Sequence, residues 1–312
     1  MYVCLRCISG AFAFLLACLE ASLAFAGVYV LPQGDGLVGA VSYIRTEYSD
    51  TLPDIARLYD IGYDEITRAN PKVDIWLPGK GTRVVIPQLF VLPATPKRGL
   101  TLNLAERRIY YFPRSEDSDT KWVMTFPVGI GREGWQTPIG PARVVDKTAQ
   151  PAWTPPQSIR DESLQQGIIL PDHVPPGPDN PLGEYAIRLS LPGYLLHGTN
   201  KPYGIGMRVS HGCIRLYPED IEVLFNYVAL NTPVWIVDQS DKIGWRGDFL
   251  YLESHPVAYG RSRYHELELI AEIERVVGEE PVELDWSLVE QVHRRADGVP
   301  TLVGRRLLPF RK

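Results

Sequence analysis

Leu196-His197-Gly198-Thr199-Asn200 and, further on, Ser210-His211-Gly212-Cys213-Ile214-Arg215-Leu216 are the two runs on which the reading of this chain turns. A thiol becomes a useful nucleophile when a nearby imidazole favours its thiolate, lowering a pKa that is otherwise about 8.5. Two histidines bracket Cys213. On a strand, residues i and i+2 share a face, so local geometry alone favours His211 as the proton acceptor. His197 reaches the thiol only if its run and the cysteine run fold back as neighbouring strands, a return that Tyr203-Gly204-Ile205-Gly206 permits. Gly212 would leave backbone N–H groups unobstructed for an oxyanion, and Ser210 would orient a neighbour by hydrogen bonding. This layout points to acyl transfer by a cysteine. Zinc on two His and a Cys is the competing chemistry, but no fourth ligand stands at suitable spacing, so neither metal nor cofactor is expected. A thiol redox role is a further alternative.

Strand-like runs surround these segments: 100–104, 108–112, 122–128, 141–145, 185–189 and 194–197, with a closing strand at 233–237. Their β-branched and aromatic content, with turn residues between them, predicts a β-rich sandwich or partly closed barrel over residues 98–238. One helix follows the motif, with Pro218 in its first turn and an apolar stripe of Ile221, Leu224, Phe225 and Val228. The proline-rich stretch 151–181 is expected to be a long ordered loop without a regular element, acting as a lid or binding loop.

Residues 42–87 are predicted to form a small βααβ module, with helical spacing at Leu52, Ile55, Ala56 and Tyr59 and again at Ile66 and Ala69, and Asn70-Pro71 as the stop. Pro87 to Gly99 reads as a linker. Residues 239–312 are expected to be a mostly helical extension, with helices at 265–277 and 285–295, giving an α+β chain overall. The N-terminus carries Arg6, an apolar run from Ile8 to Leu19 and Ala24-Phe25-Ala26, the anatomy of a cleaved signal peptide spanning 1–26. Glu20 interrupts a run already too short to span a bilayer. A lipid anchor at Cys18 is the alternative. Removal of that segment takes Cys4, Cys7 and Cys18 with it and leaves Cys213 as the one thiol in an oxidising compartment, the periplasm. The formal net charge of −5, without basic blocks, argues against a nucleic-acid partner.

His197-Gly-Thr-Asn followed by Ser210-His-Gly-Cys213-Ile-Arg215, with Thr137-Pro-Ile-Gly140 upstream, resembles the signature of the L,D-transpeptidase (YkuD) catalytic family. Ser49-Asp-Thr-Leu52, Ile55-Ala56, Ala69-Asn-Pro71, Leu77-Pro-Gly79 and Ile86-Pro87 resemble a LysM module, whose relatives bind glycans containing N-acetylglucosamine. The first resemblance implies that Cys213 attacks the diaminopimelate carbonyl of a peptidoglycan tetrapeptide stem and expels D-Ala. An amine then takes the acyl group: a second stem gives a 3→3 cross-link, and a lysine of an outer-membrane lipoprotein gives an anchored protein. It implies His197 as proton donor and acceptor, His211 beside the thiol, and the backbone N–H groups of His211, Gly212 and Cys213 at the oxyanion. Arg215, Thr199, Asn200 and Tyr203 are the expected substrate contacts. Water as acceptor would make the chain an L,D-carboxypeptidase, and a peptidoglycan-binding protein without catalysis is the remaining alternative.

Overall fold

The computed structural model describes residues 27–31, 33–114, 121–260 and 265–307. The expected signal segment, the Cys18 anchor site and residues 308–312 of the expected C-terminal extension lie outside the described residues. β1 (Val28–Val30) pairs antiparallel along the edge of the main sheet, on Trp122 to Met124. β2 (Leu37–Arg45), α1 (Leu52–Leu58), α2 (Tyr63–Ala69) and β3 (Arg83–Val91) follow in the order strand, helix, helix, strand. Thr51 caps α1 by accepting the Asp54 N–H at 3.2 Å, and Glu65 turns back to accept the Gly62 N–H at the start of α2. Leu52, Ile55, Ala56, Ile61, Ile66, Val84 and Ile86 form the core of this module.

The hairpin runs further than the sequence suggests. Its ladder extends from Leu37↔Val91 to Arg45↔Arg83, so the expected linker is strand as far as Val91. The periodicity there was masked because both faces are covered: Val38 and Phe90 pack on Tyr110, Phe112 and Val123 of the main sheet, while Leu37 and Val91 pack with Tyr251 of the C-terminal part.

The catalytic region is built from β4 (Gly99–Asn103), β5 (Arg108–Phe112), β6 (Trp122–Pro127), β7 (Ile130–Gly131), β8 (Gly140–Ala149), α3 (Gln157–Gln165), β9 (Tyr185–Leu189), β10 (Leu195–His197), β11 (Arg208–Ser210), β12 (Ile214–Arg215), α4 (Pro218–Tyr227) and β13 (Pro233–Val237). Nine strands form one mixed, curled sheet in the order β1-β6-β5-β4-β13-β8-β9-β10-β12, with β7 and β11 paired beside it. The core contains Leu100, Leu102, Phe126, Ile187, Leu196, Ile214 and, from α4, Ile221 and Leu224. α3 corrects the expectation of a loop without regular structure. The prolines flank Gln157–Gln165 and do not enter it, and Gly167 at φ +75° ends the turn that follows.

The mostly helical extension is also corrected. α5 (His265–Val277) and α6 (Trp286–Arg295) are present, but they pack on a four-stranded sheet of β14 (Asp241–Arg246), β15 (Phe249–Ser254), β16 (Val282–Leu284) and β17 (Thr301–Arg306). Buried charge disguised these strands. Lys242 Nζ lies 2.6 Å from Glu106, 2.8 Å from Glu253 and 2.8 Å from the Val91 carbonyl, and His255 bonds Glu253 at 2.6 Å. Residues that read as solvent-facing are therefore interior, and they fasten the extension to β3 and to the β4–β5 turn.

Candidate active site

β10 and β12 are parallel neighbours, with Leu196 opposite Ile214 and His197 opposite Arg215. This pairing brings the two sequence runs together. Residues 211–213 are not part of a strand: Gly212, at φ +101°, bends the chain between β11 and β12, a conformation that L side chains rarely adopt. The shared-face argument for His211 therefore fails. Ser210 fastens the bend, its hydroxyl accepting the Gly212 N–H at 3.1 Å and donating to the Cys213 carbonyl at 2.5 Å. The Gly212 N–H is thus engaged and does not remain free for an oxyanion. Thr137 Oγ1 donates to the Gly212 carbonyl at 2.9 Å, which gives the upstream Thr-Pro-Ile-Gly run its role in holding this turn.

Cys213 is half-buried, with Sγ 3.5 Å from the Gly193 carbonyl. Burial pushes its thiol above the usual range, against the opposing pull of the Leu195 backbone, Arg215 and Arg188. His197 is 4% exposed, and burial, reinforced by the Arg215 charge, lowers it to about 4. Its Nδ1 lies 2.6 Å from the Gly198 carbonyl. A carbonyl only accepts, so Nδ1 carries the proton and Nε2 is the basic nitrogen. His211 is engaged elsewhere: its Nε2 lies 2.7 Å from Glu162 of α3 and 3.2 Å from Arg132, itself ion-paired to Glu162, and its ring meets Trp135 edge-on at 4.9 Å. α3 is thereby latched onto the cysteine turn.

Cys213, His197, His211, Ser210, Arg188, Tyr194 and Arg215 line a cleft of about 790 Å³ that is covered by Trp153, Pro156 and Ile159 of the proline-rich stretch. Arg215 also lines an adjoining cavity of about 480 Å³ with Thr199, Asn200 and Lys201. Its Nε is buried and has no hydrogen-bond partner among the described residues. Thr199 Oγ1 accepts the Lys201 N–H at 2.9 Å and Asn200 Nδ2 donates to the Asp179 carbonyl at 3.1 Å, and both residues line that second cavity. Tyr203 is placed elsewhere, with its hydroxyl 3.4 Å from Asp54 of α1, which corrects its expected substrate contact. Glu162, Arg132, Trp135 and Arg188 were not identified from sequence. No motif marks them, because they reach the site from three separate parts of the chain: the turn after β7, α3 and β9.

A metal centre at Cys213 gains no support from its surroundings. Among the described residues, the one group of possible ligands is Glu106, Glu253 and His255, and there the Lys242 ammonium already contacts both carboxylates.

Residues 97–236 match the family model of the YkuD L,D-transpeptidase catalytic domain. The chain is 41% identical over 238 residues to a protein of Escherichia coli (strain K12) named "Probable L,D-transpeptidase ErfK/SrfK", covering 75% of each. It is 37% identical over 290 residues to "Probable L,D-transpeptidase YbiS" of the same organism, covering 89% of this chain and 92% of the relative. Among solved structures, L,D-transpeptidase 3 of Mycobacterium tuberculosis aligns at 19% identity and TM-score 0.32, over 67% of this chain and 97% of that one. The catalytic domain of the Enterococcus faecium L,D-transpeptidase aligns at 21% identity and TM-score 0.34, over 46% and 99%.

Proposed function

The chain belongs to the L,D-transpeptidase (YkuD) family, and from that premise we propose that Cys213 and His197 are its nucleophile and its general base. It is an enzyme of this type, acting on peptidoglycan. The observation that carries the assignment is the 2.6 Å contact of His197 Nδ1 with the Gly198 carbonyl, which makes Nε2 the basic nitrogen of a histidine lining the same cleft as Cys213, whereas Glu162 holds His211 Nε2.

Both groups of the pair start neutral. Cys213 Sγ attacks the carbonyl carbon of the diaminopimelate residue in a tetrapeptide stem while His197 Nε2 takes the thiol proton. The tetrahedral oxyanion is met by backbone N–H groups of the 211–213 bend other than that of Gly212, which Ser210 holds. Collapse breaks the amide bond to D-Ala, the His197 imidazolium protonates the departing nitrogen, and a thioester on Cys213 remains. An incoming amine gives up a proton to His197, attacks the thioester and releases the thiol. Arg215 and Arg188 supply positive charge for the stem carboxylates, and Arg215 stands where the two cavities meet. His211 serves as the anchor of α3.

A second stem and a lipoprotein lysine are both acceptors that this scheme admits. The chain is proposed to act in the periplasm after cleavage at Ala26, with its 42–87 module on the glycan. Trp76, Leu77 and Tyr48 are exposed there, the kind of apolar surface a sugar ring stacks on. Among the described residues, no helix is long and apolar enough to cross a membrane. Intact mass spectrometry of the protein incubated with a tetrapeptide muropeptide tests the assignment. An adduct on Cys213 smaller than the substrate by D-Ala is expected, and it should disappear in Cys213→Ala and His197→Gln. A His197→Gln protein that acylates at the unchanged rate would overturn the choice of base.

A further inference from the structure

Gly27 N lies 3.2 Å from Oδ2 of Asp60, and the Gly27 carbonyl is held by the Thr125 N–H at 3.1 Å at the edge of the main sheet. The start of β1 is therefore fixed with its nitrogen directed at a carboxylate between α1 and α2. Asp220, in the first turn of α4, is 3% exposed and belongs to the same buried site, close enough to Asp60 for the two carboxyls to act on one another electrostatically. Oδ1 of Asp60 and Oδ2 of Asp220 are both buried and have no hydrogen-bond partner among the described residues.

The nearest cation is already matched. Arg108 makes a two-pronged pair with Glu65, at 2.8 and 2.9 Å, and donates to the Asp60 backbone carbonyl and to Thr125. Arg57 pairs with Glu219 at the surface. Two carboxyls thus share an interior site where, among the described residues, the one hydrogen bond offered to Asp60 Oδ2 is an amide N–H and the one nearby guanidinium, Arg108, is already paired with Glu65. Buried charge without a partner costs several kcal/mol, so such groups either acquire a cation or stay protonated. Burial pushes both carboxyls above the usual range, and the Asp60 charge raises Asp220 further, while Arg108 and the Gly27 N–H pull Asp60 the other way.

An amide at Gly27 offers this site one donor and no charge. An α-ammonium at the same atom offers three donors and a full positive charge. We propose that the α-ammonium freed at Gly27 by cleavage after Ala26 is the cation this Asp60–Asp220 site is built to hold. The inference rests on processing at Ala24-Phe25-Ala26. Seated there, the new terminus ties together three parts that the sequence leaves separate: the α1–α2 turn through Asp60, the sheet edge through β1, and α4 through Asp220. α4 directly follows the Cys213 motif and packs Ile221 and Leu224 into the catalytic core. In the precursor the Gly27 amide makes a single uncharged contact with Asp60, so removal of the leader adds the charge and the further donors of this tie.

The test uses the full chain expressed with export. Intact mass of the processed protein establishes whether it starts at Gly27, and any other terminus overturns the proposal through its premise. With Gly27 confirmed, the N-terminal amine is titrated with an amine-reactive acetylating agent near pH 7. An amine paired with a buried carboxylate has a raised pKa, and each unit of that rise slows the reaction about tenfold. The Gly27 amine should therefore react at least about tenfold more slowly than that of Asp60→Asn. A second variant inserts one Ser between Ala26 and Gly27 and leaves every side chain in place, so that the processed chain is one residue longer. It should melt below the wild type, and the insertion should have no effect on melting in an Asp60→Asn background. A wild-type amine that reacts like an exposed terminus, together with an insertion that leaves the melting temperature unchanged, overturns the ammonium site while leaving the processing reading intact.

Discussion

Acid–base behaviour at Cys213 separates two ways in which the pair could work, and the structure gives the sign. His197 is lowered to about 4, so near pH 7 only about one molecule in a thousand carries the imidazolium that would hold a thiolate. Burial moves Cys213 the opposite way, above the ordinary thiol value, so its thiolate fraction near pH 7 falls below the roughly 3% of a free thiol. Alkylation by excess iodoacetamide depends on that fraction alone, and after Gly27 Cys213 is the only cysteine, so intact mass reads one site. The rate should rise about tenfold per pH unit, or about a hundredfold between pH 6 and 8, with no plateau on the acid side. His197→Gln should leave that slope unchanged, because alkylation needs no base. Acylation by a carbapenem, which needs proton transfer, should fall by about a hundredfold or more. A rate that changes less than about twofold from pH 6 to 8 would mean a preformed thiolate–imidazolium pair, and the dominance of burial argued here would be wrong.

Gly183, at φ +66°, sits so close to the histidine run that an added Cβ would lie 2.8 Å from Thr199 N and 3.0 Å from the Gly198 carbonyl carbon. Gly183→Ala should displace the acceptor of His197 Nδ1 and slow carbapenem acylation at least about tenfold with the alkylation rate unchanged, so parallel loss of both would point to a general collapse. Lys242→Met leaves Glu106 and Glu253 buried without their cation and should lower unfolding free energy by about 3–5 kcal/mol in urea, whereas a loss under about 1 kcal/mol would mean the network relaxes. Glu162→Gln weakens the tie of α3 to His211 and Arg132 and should speed proteolysis within 151–181 with little change in melting temperature; an unchanged cleavage pattern would show that the prolines alone hold the stretch.

Much of the fold was legible because regular elements with one wet face leave a periodic trace. The strands of the catalytic sheet and the helical stripes at Leu52–Tyr59 and Ile221–Val228 appear where apolar spacing places them. The trace disappears where burial is two-sided or charged. Leu37, Val38 and Leu89–Val91 are buried in succession on both faces, and Lys242 and Glu253 are interior ions whose letters read as surface, so the hairpin extension and the C-terminal sheet were missed.

By itself the sequence singled out the proposed nucleophile: the one thiol past the expected leader, set in Ser-His-Gly-Cys with a second histidine run upstream, is a local statement that needs no tertiary information. Between the histidines the sequence was divided, strand geometry favouring His211 and the family resemblance His197, and the folded chain supplies physical grounds for His197. The positive φ of Gly212 takes residues 211–213 off the strand on which a shared face was expected. The parallel β10–β12 pairing brings His197 to the cysteine run, and Glu162, from a helix within the proline-rich stretch, occupies His211. Which nitrogen is free to take a proton depends on what holds the others, and those partners come from distant parts of the chain.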